Sequence, residues 1–357
     1  MRRSGRNVGG YRGRRTSRDI LTIVAAVLAV AVILVLGGLA LGQRYIVYTD
    51  DGLRLDLPFF SDGSRTELPD PGNVSLVEKP ASSQEQEAPP AEEPEPVYMA
   101  ALELPLETVV QGTAAEQLDR AGADVLILNM KNAQGLLGWK SSQGLADQAE
   151  VNGTQTAADA IRTWNQGDVY TVARVCCFRD NAVPYHRNAL ALRATYGNWR
   201  DELGLRWLDP GNKDVRAYLA ALCGELAELG FDEILLEQYT LPVLGNRETL
   251  LEDHGDQAEQ LVNDLLDRVA RAVEPYGTRV SLRIEPSVVK GEAPWCGLSL
   301  ADAETDAYRL WIETVPGEDL CARLEMGGIS EADQRLVMLT SELGETEDGH
   351  EAVLMNS

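Results

Sequence analysis

Apolar runs of strand length alternate with segments of helical periodicity along residues 97–357. Most of these runs end in polar or charged side chains, which is typical of parallel strands that present a site at their C-terminal ends. The pattern therefore predicts repeated β-strand–helix–β-strand units. The predicted strands are residues 99–104, 124–130, 169–178, 233–239 and 279–285.

The clearest helical pattern covers residues 213–229, with Gly230 as its terminator. Its apolar stripe consists of Val215, Leu219, Leu222, Leu226 and Leu229. Residues 256–276 form another helical pattern, and residues 159–164 belong to a third. The region from residue 97 to the end is close in length to the roughly 250 residues of a TIM-like (β/α)8 barrel, so an α/β barrel is the predicted fold.

The last third of the chain is less regular. Residues 308–313 and 320–325 have the composition of strands, but the segment between them is too short for a parallel crossover. Pro316 and Gly317 favour a type II turn, so we expect these two strands to form an antiparallel hairpin. Residues 335–341 and 352–355 are further strand candidates, and the predicted barrel closes irregularly or does not close.

Charge is distributed unevenly along the chain. Residues 1–19 hold seven arginines and one aspartate, whereas the whole chain carries a formal net charge of −24. Residues 20–42 contain no charge and, as a helix, would span about 34 Å, enough for a bilayer core of about 30 Å. We therefore expect a basic cytoplasmic tail, a transmembrane helix and an extracytoplasmic remainder. A cleaved signal peptide ending near 40–42 is the alternative.

Two short segments separate the expected anchor from the barrel. Residues 45–60 alternate around Asp51 and Gly52, which predicts a short hairpin. Residues 61–96 are rich in Pro, Glu, Ser and Gln and predict a disordered acidic linker. The acidic composition beyond the tail argues against nucleic acid as a partner, because phosphate contacts need a basic surface.

No metal or cofactor site is expected from the sequence. The five cysteines have no metal-ligand spacing, and they are interpreted as small buried residues, with one disulfide as the alternative. The three histidines show no ligand spacing either. No Gly-rich dinucleotide motif, phosphate-binding loop or nucleophile-elbow motif occurs.

Three motifs resemble the bacterial glycoside hydrolase-like (β/α)-barrel family. They are Ala173-Arg174 followed by Phe178-Arg179-Asp180, then Trp207-Leu208-Asp209-Pro210, then Phe231-Asp232-Glu233-Ile234 followed by Pro242. The resemblance covers residues 120–290 well and the ends weakly. It implies a barrel, and it implies carbohydrate of the cell envelope as the ligand class. The chain is a divergent member on this criterion, because its chemical residues depart from the family pattern.

The resemblance implies that Glu237 occupies the position of the family's catalytic aspartate, one methylene longer. At the second strand, Asn129 and Asn132 stand where the family has two acids, with Lys131 retained between them. At the fifth strand Arg283 stands where the family has an aspartate, and Glu285 follows two residues later. Glycoside hydrolysis usually needs two carboxyl groups, so Glu237 and Glu285 are the catalytic candidates.

Other residues are candidates for substrate binding. Arg174 is expected to orient Glu237 by a bidentate bond, and Asp180 matches the family. The substrate-binding candidates are Arg174, Lys131, Asn129, Asn132, Asp180, Tyr239 and Trp139, with Trp199 as a further aromatic in a predicted loop. Glu313 and Glu325, like Glu237 and Glu285, lie at predicted strand ends. Several of these four are interpreted as solvated rim charges, and a new carboxylate pair among them is the alternative.

Three functional hypotheses follow. One is a barrel that binds an envelope glycan or a partner protein without efficient cleavage, and the loss of acids at Asn129 and Asn132 favours it. Another is an active hydrolase that uses Glu237 with a relocated acid such as Glu285. The third is a structural envelope protein without a ligand.

The anchor hypothesis predicts a specific cleavage pattern. Protease added to intact cells should remove the chain beyond about residue 61 and leave the helix of residues 20–42 in the membrane, as immunoblotting of both parts would show. A soluble mature protein that begins near Gln43 would contradict the hypothesis.

Overall fold

The computed structural model describes residues 46–49, 52–55, 98–243, 245–252, 254–346 and 349–355. The chain divides into two compact units, residues 1–90 and 91–357. The predicted basic tail, membrane helix and linker lie outside the described residues. Within those ranges, no helix has both the length and the hydropathy to span a bilayer.

The described part of the first unit is a pair of antiparallel strands, β1 (Ile46–Thr49) and β2 (Gly52–Leu55). Thr49 lies opposite Gly52 in the register. Gly52 therefore belongs to the second strand, whereas the sequence pattern placed it in the connecting turn.

The second unit is a closed barrel of eight parallel strands. Each strand pairs with the next along the chain, and the last pairs with the first, so the barrel has no free edge. The strands are β3 (Ala100–Glu103), β4 (Val125–Lys131), β5 (Tyr170–Cys176), β6 (Glu233–Glu237), β7 (Arg279–Arg283), β8 (Leu310–Glu313), β9 (Leu336–Leu339) and β10 (His350–Val353).

Helices alternate with the strands on the outside of the barrel. They are α1 (Leu106–Val110), α2 (Ala114–Ala121), α3 (Gly144–Gln148), α4 (Gln155–Trp164), α5 (Val183–His186), α6 (Lys213–Glu228), α7 (Ala258–Val273), α8 (Pro286–Val289), α9 (Leu300–Asp306), α10 (Leu320–Met326) and α11 (Ala332–Arg335). The alternation confirms the predicted TIM-like barrel.

The predicted helix over 213–229 forms because several local signals agree. The Asn212 side chain accepts a hydrogen bond from the Asp214 N–H and so caps the first turn of α6. The predicted apolar stripe is buried against the strands. Beyond the helix, Gly230 adopts φ +93°, a conformation that residues with a Cβ avoid.

The last third differs from the sequence prediction. The hairpin expected from residues 308–313 and 320–325 is wrong, because the second segment is helix α10. The Asp319 side chain caps that helix by accepting from the Ala322 N–H, and Leu320 and Leu324 bury one face at helical spacing. The crossover from β8 to β9 thereby gains enough length for a parallel connection, and the barrel closes regularly.

The barrel interior is a small apolar cluster that is separate from the larger core between strands and helices. It includes Ala101, Ile127, Val172, Leu235 and Trp311, all buried. Side chains along a strand alternate between the two faces of the sheet, so positions two residues away on the same strand also face inward. This alternation determines which polar side chains point into the barrel at its two ends.

Toward the N-terminal ends of the strands, the inward positions are Tyr170, Glu233 and Arg309. The fully buried Glu233 carboxylate lies 2.7 Å from Arg309 Nη1 and accepts hydrogen bonds from Tyr170 Oη at 3.0 Å and Trp311 Nε1 at 3.1 Å. A buried charge is tolerated when it is paired and hydrogen-bonded in this way. These groups close the end of the barrel opposite to the site.

Candidate functional site

The C-terminal ends of the strands carry a ring of polar side chains, two residues beyond the apolar interior layer. It comprises Glu103, Asn129, Arg174, Glu237, Arg283 and Glu313, which we call the barrel mouth. All but Glu103 line one cavity of about 540 Å³. Strand parity explains why residues far apart in sequence meet here, since every one of these positions faces inward.

Five of these side chains form an unbroken chain of alternating charge. Arg174 Nη1 lies 2.8 Å from Glu103 Oε2, and Arg174 Nε lies 2.6 Å from Glu237 Oε2. Arg283 Nη1 lies 2.6 Å from the other Glu237 oxygen, and Arg283 Nη2 lies 3.0 Å from Glu313. The chain joins strands β3, β5, β6, β7 and β8 across the mouth. The expected bond between Arg174 and Glu237 is present, although it is not bidentate.

Burial affects the pKa values of the side chains in this series of ion pairs. Glu103, Arg174 and Glu237 are each 4 % exposed. Burial raises the pKa of Glu103 above its ordinary value, against the opposing effect of Arg174. Burial is the largest single effect on Arg174 and Arg283 and lowers their pKa, but Glu237 and the other acidic neighbours together outweigh it, so the pKa of both guanidinium groups is raised. The two arginines therefore remain charged on either side of Glu237.

Glu237 is held more tightly than a reacting carboxylate needs to be. Each of its oxygens accepts one charge-assisted bond at 2.6 Å, from Arg174 on one side and Arg283 on the other. A nucleophilic or basic carboxylate must offer a lone pair and its negative charge to the substrate. In this arrangement one lone pair on each oxygen and the negative charge are engaged by the two arginines.

Glu285 follows β7 and lies beside this series of charged side chains. The residue after Glu237, Gln238, has φ +50°, an uncommon conformation for a residue with a side chain. Gln238 Nε2 donates to Glu285 Oε1 at 3.1 Å. Burial and the neighbouring Glu313 and Glu237 carboxylates raise the pKa of Glu285, although Arg283 opposes them. The environment of Glu285, like that of Glu103, thus favours the protonated carboxyl group.

Lys131 and Asp180 have no exposed side-chain surface, so their predicted role in substrate binding does not match the structure. The Lys131 ammonium lies 2.9 Å from Asp180 and donates to the carbonyl oxygens of Cys176 and Cys177. Asp180 also accepts from the N–H groups of Ala182 and Val183 at the start of α5. The pair therefore fixes the ends of β4 and β5 beneath the site.

The predicted aromatic platforms are also buried. Trp139 is 2 % exposed and donates its indole N–H to Glu225, so it offers no face to a ligand, and its assignment as a binding residue is wrong. Trp199 is 1 % exposed and donates to the Asn246 carbonyl. Tyr239 is 1 % exposed and belongs to the core. Sequence reasoning placed Trp139 and Trp199 in loops, which here fold into the core. Tyr239 was predicted at the end of a strand, and its ring also packs into the core.

Asn129 and Asn132, the substrate-binding candidates of the second strand, line the cavity. Asn132 Oδ1 accepts from the N–H groups of Gln134 and Leu136 and shapes the loop after β4. Among the described residues, Asn129 Oδ1 has no hydrogen-bond partner although it is buried. A buried acceptor without a partner is uncommon, and a ligand that donates a proton would satisfy it.

Sequence reasoning missed Glu103 and the pairing of Arg283. Glu103 follows an apolar strand and precedes Leu104-Pro105, which is the same kind of position as Glu237, and this signal was available. Glu325, expected at a strand end, is exposed on helix α10 away from the mouth.

Over the described ranges, no group of three or more His, Cys, Asp or Glu side chains is arranged to hold a metal, and all five cysteines are free thiols.

Comparison with known proteins identifies a family. A family model described as "putative glycosyl hydrolase domain" matches residues 96–294. The comparison with curated proteins finds no match.

Solved structures with a similar fold include three from bacteria. The glycoside hydrolase domain of PgaB (BpsB) from Bordetella bronchiseptica is 10 % identical with a TM-score of 0.51, over 72 % of this chain and 94 % of that one. A hypothetical protein from Ruminiclostridium thermocellum is 25 % identical with a TM-score of 0.42, over 51 % and 96 %. A Vibrio harveyi exo-β-N-acetylglucosaminidase, in complex with N-acetylglucosamine, is 11 % identical with a TM-score of 0.45, over 68 % and 41 %.

Substitution of Glu237 tests the charge chain. Glu237→Gln should lower the free energy of unfolding by about 3 kcal/mol, because two buried guanidinium groups lose a charged partner. Glu313→Gln is the matched control at the exposed end of the same chain, where the carboxylate is 58 % exposed. It should cost less than about 1 kcal/mol. Urea denaturation of both variants measures the difference, and equal costs would show that the buried pairs do not stabilise the barrel.

Glu285→Gln should raise the free energy of unfolding at pH 7 and change it little near pH 3. A carboxyl group whose pKa is higher in the folded chain stabilises the fold below its ordinary value of 4.5, and this contribution is lost as the pH rises through the raised pKa. The amide cannot ionise and can still accept from Gln238. Denaturation at both pH values measures the effect, with the exposed Glu116→Gln as control. A variant less stable than the wild type at pH 7 would contradict the assignment.

Proposed function

The chain belongs to the family described as "putative glycosyl hydrolase domain", and from this premise we propose that its barrel mouth binds carbohydrate and hydrolyses it slowly or not at all. The observation that carries the proposal is the state of Glu237, whose two oxygens are each bound by an arginine at 2.6 Å. The fold alone would permit either binding or catalysis, since one barrel supports many chemistries.

Two features of Glu237 oppose efficient catalysis. Weakening one charge-assisted bond on the way to the transition state costs about 1.5–3 kcal/mol, which slows the step by roughly 10- to 100-fold. Its side chain is also one methylene longer than the aspartate that the family resemblance implies, and a displacement of about 1 Å can cost roughly 100-fold in rate. Arg283 adds to the first effect, because it supplies the second cation at a position where the family has an acid.

The lining of the cavity suits sugar hydroxyl groups. Asn129, Asn132, Gln238, Thr340 and Ser341 offer amide and hydroxyl groups that donate or accept hydrogen bonds. The buried Asn129 oxygen would gain a donor from a sugar hydroxyl. Because the cavity lining contains no aromatic ring among the described residues, recognition would rest on hydrogen bonds rather than on stacking, and we expect weak binding.

A second candidate function is slow retaining or inverting hydrolysis with Glu285 as the proton donor. The raised pKa of Glu285 favours it, because a general acid must hold its proton near the working pH. Glu237 would then act as the nucleophile or base. This function requires Glu237 to leave at least one of its two arginines during the reaction.

The location of the site is part of the proposal. Residues 20–42 and the arginines before them support a single-pass anchor with a cytoplasmic N-terminus, and the acidic remainder supports an extracytoplasmic barrel. A barrel placed there would meet glycans of the cell envelope. We therefore propose an envelope carbohydrate as the ligand class.

A binding and turnover panel tests the function. The purified full-length protein should bind at least one cell-wall or storage polysaccharide with a dissociation constant in the range of about 1 mM, which corresponds to about 4 kcal/mol, and should release little reducing sugar. Glu237→Gln should alter binding modestly, because the shape of the side chain survives. The combined variant Asn129→Asp, Asn132→Asp and Arg283→Asp, which restores the family's acids, should raise the rate of release.

The outcomes separate the candidates. Robust hydrolysis by the wild type that is abolished by Glu237→Gln would overturn the binding proposal and make Glu237 a catalytic residue. No binding to any polysaccharide in the panel would reject both carbohydrate functions. The exposed substitution Glu116→Gln serves as a control for charge loss on the same scaffold.

A further inference from the structure

The connection between β5 and α6 carries a net positive charge, although residues 20–357 as a whole are strongly acidic. Residues 179–206 contain five arginines and three acidic residues, although the chain as a whole carries a net charge of −24. Within it, residues 185–206 hold four arginines, and we call this segment the arginine loop. The four are Arg187, Arg193, Arg200 and Arg206.

The arginine loop folds into two small antiparallel turns that bring like charges together. One turn pairs Arg193 with Asn198, and the next pairs Arg200 with Arg206. Like charges directly opposite each other across an antiparallel pair are destabilising. Partial burial and the charge of Arg200 lower the pKa of Arg206 from its ordinary value, which is consistent with this proximity. Local structure alone gives no reason for two arginines at these positions.

None of these four arginines forms an ion pair with a carboxylate in the part of the chain that the structure describes. Their partners are neutral: Arg193 binds Asn198 Oδ1 at 2.5 Å, Arg200 binds the Gly204 carbonyl at 2.6 Å and Arg206 binds Asn181 Oδ1 at 2.8 Å. Arg187 is exposed. The positive charge of the loop is therefore available to a ligand, in a protein rich in carboxylates.

Exposed rings accompany the arginines. Tyr185 is 63 % exposed, and the Arg206 guanidinium stacks over its ring, 4.9 Å from the centroid. Tyr196 is 94 % exposed. A tyrosine offers an apolar ring together with a hydroxyl group, and a sugar has both kinds of surface. The combination of rings and cations suits a polymer of charged sugars better than it suits a simple inorganic anion.

The loop is continuous with the barrel mouth. Arg179, Leu203 and Leu205 line an adjoining cavity of about 310 Å³. Asn129 and Asn132 border this second cavity as well as the first. A chain of several sugars could thus reach from the mouth across the edge of the arginine loop without leaving the protein surface.

We propose that the arginine loop binds an anionic polysaccharide, whose carboxylates pair with Arg193 and Arg200 while another sugar of the same polymer enters the barrel mouth. The proposal rests on the proposed carbohydrate function and adds the charge of the ligand to it. Between exposed groups the attraction is screened beyond about 8 Å at physiological ionic strength, so the acidic remainder of the protein does not cancel it.

The test compares a charged polymer with its neutral form. Binding of polygalacturonate and of its fully methyl-esterified counterpart to the full-length protein is measured by affinity electrophoresis at low and physiological salt. The acidic polymer should bind more tightly, and the difference should shrink as salt rises. The variant Arg193→Gln/Arg200→Gln should weaken binding of the acidic polymer by about three- to tenfold. It should leave binding of the neutral polymer unchanged.

The control variant Arg120→Gln/Arg162→Gln removes the same charge from exposed positions on α2 and α4, and it should change neither affinity. Equal binding of the two polymers would overturn the arginine-loop proposal but leave the carbohydrate function standing. Binding of neither polymer, together with a negative panel, would reject the carbohydrate function itself. Equally tight binding of duplex DNA through the same arginines would show a generic polyanion surface and also overturn the proposal.

Discussion

The site depends on the two ion pairs that Glu237 forms, one with Arg174 and one with Arg283. Glu237 ends β6 at the centre of the barrel mouth, and Arg174 and Arg283 reach it from the two neighbouring strands at 2.6 Å. Removing any one of the three would take away one of the charged partners of a buried or partly buried group, which is costly in a protein interior. The barrel mouth is therefore organised as one unit, and the chemistry open to Glu237 follows from its place within that unit.

The same constraint explains the layering of the barrel. An apolar layer around Leu235 and Trp311 separates the charged mouth from the buried Glu233 and Arg309 at the opposite end. Inside such a layer an unpaired charge would be expensive, and Glu233, Arg174 and Glu237 each have a partner of opposite sign. Lys131 and Asp180 form a buried ion pair of this kind beneath the mouth, where they hold strand ends in place and do not contact a ligand.

Under the proposed function, the mouth and the arginine loop would together bind carbohydrate rather than cleave it. The mouth offers amide and hydroxyl groups around a carboxylate that the protein itself neutralises. The arginine loop offers cations whose partners are neutral. Carboxylates thus neutralise the arginines around Glu237, whereas the arginine loop keeps a positive charge. In the proposed function, the loop would bind the acidic groups of the polysaccharide and the mouth would position one of its sugars.

The sequence by itself determined the alternation of strands and helices, the strand ends that carry polar groups and the family, because each is a local pattern of period, cap and motif. It even predicted the contact between Arg174 and Glu237, since strand parity and neighbouring strands were enough to bring them together. Tertiary structure alone decided the rest. Residues 320–325 have an apolar pattern too short to distinguish strand from helix, and barrel closure selected helix α10. Trp139 stands in an irregular segment, and only packing of that segment buried it. The second arginine on Glu237 and the like-charged pair of Arg200 and Arg206 arise from residues brought together by strand register and turn geometry, which no local pattern records.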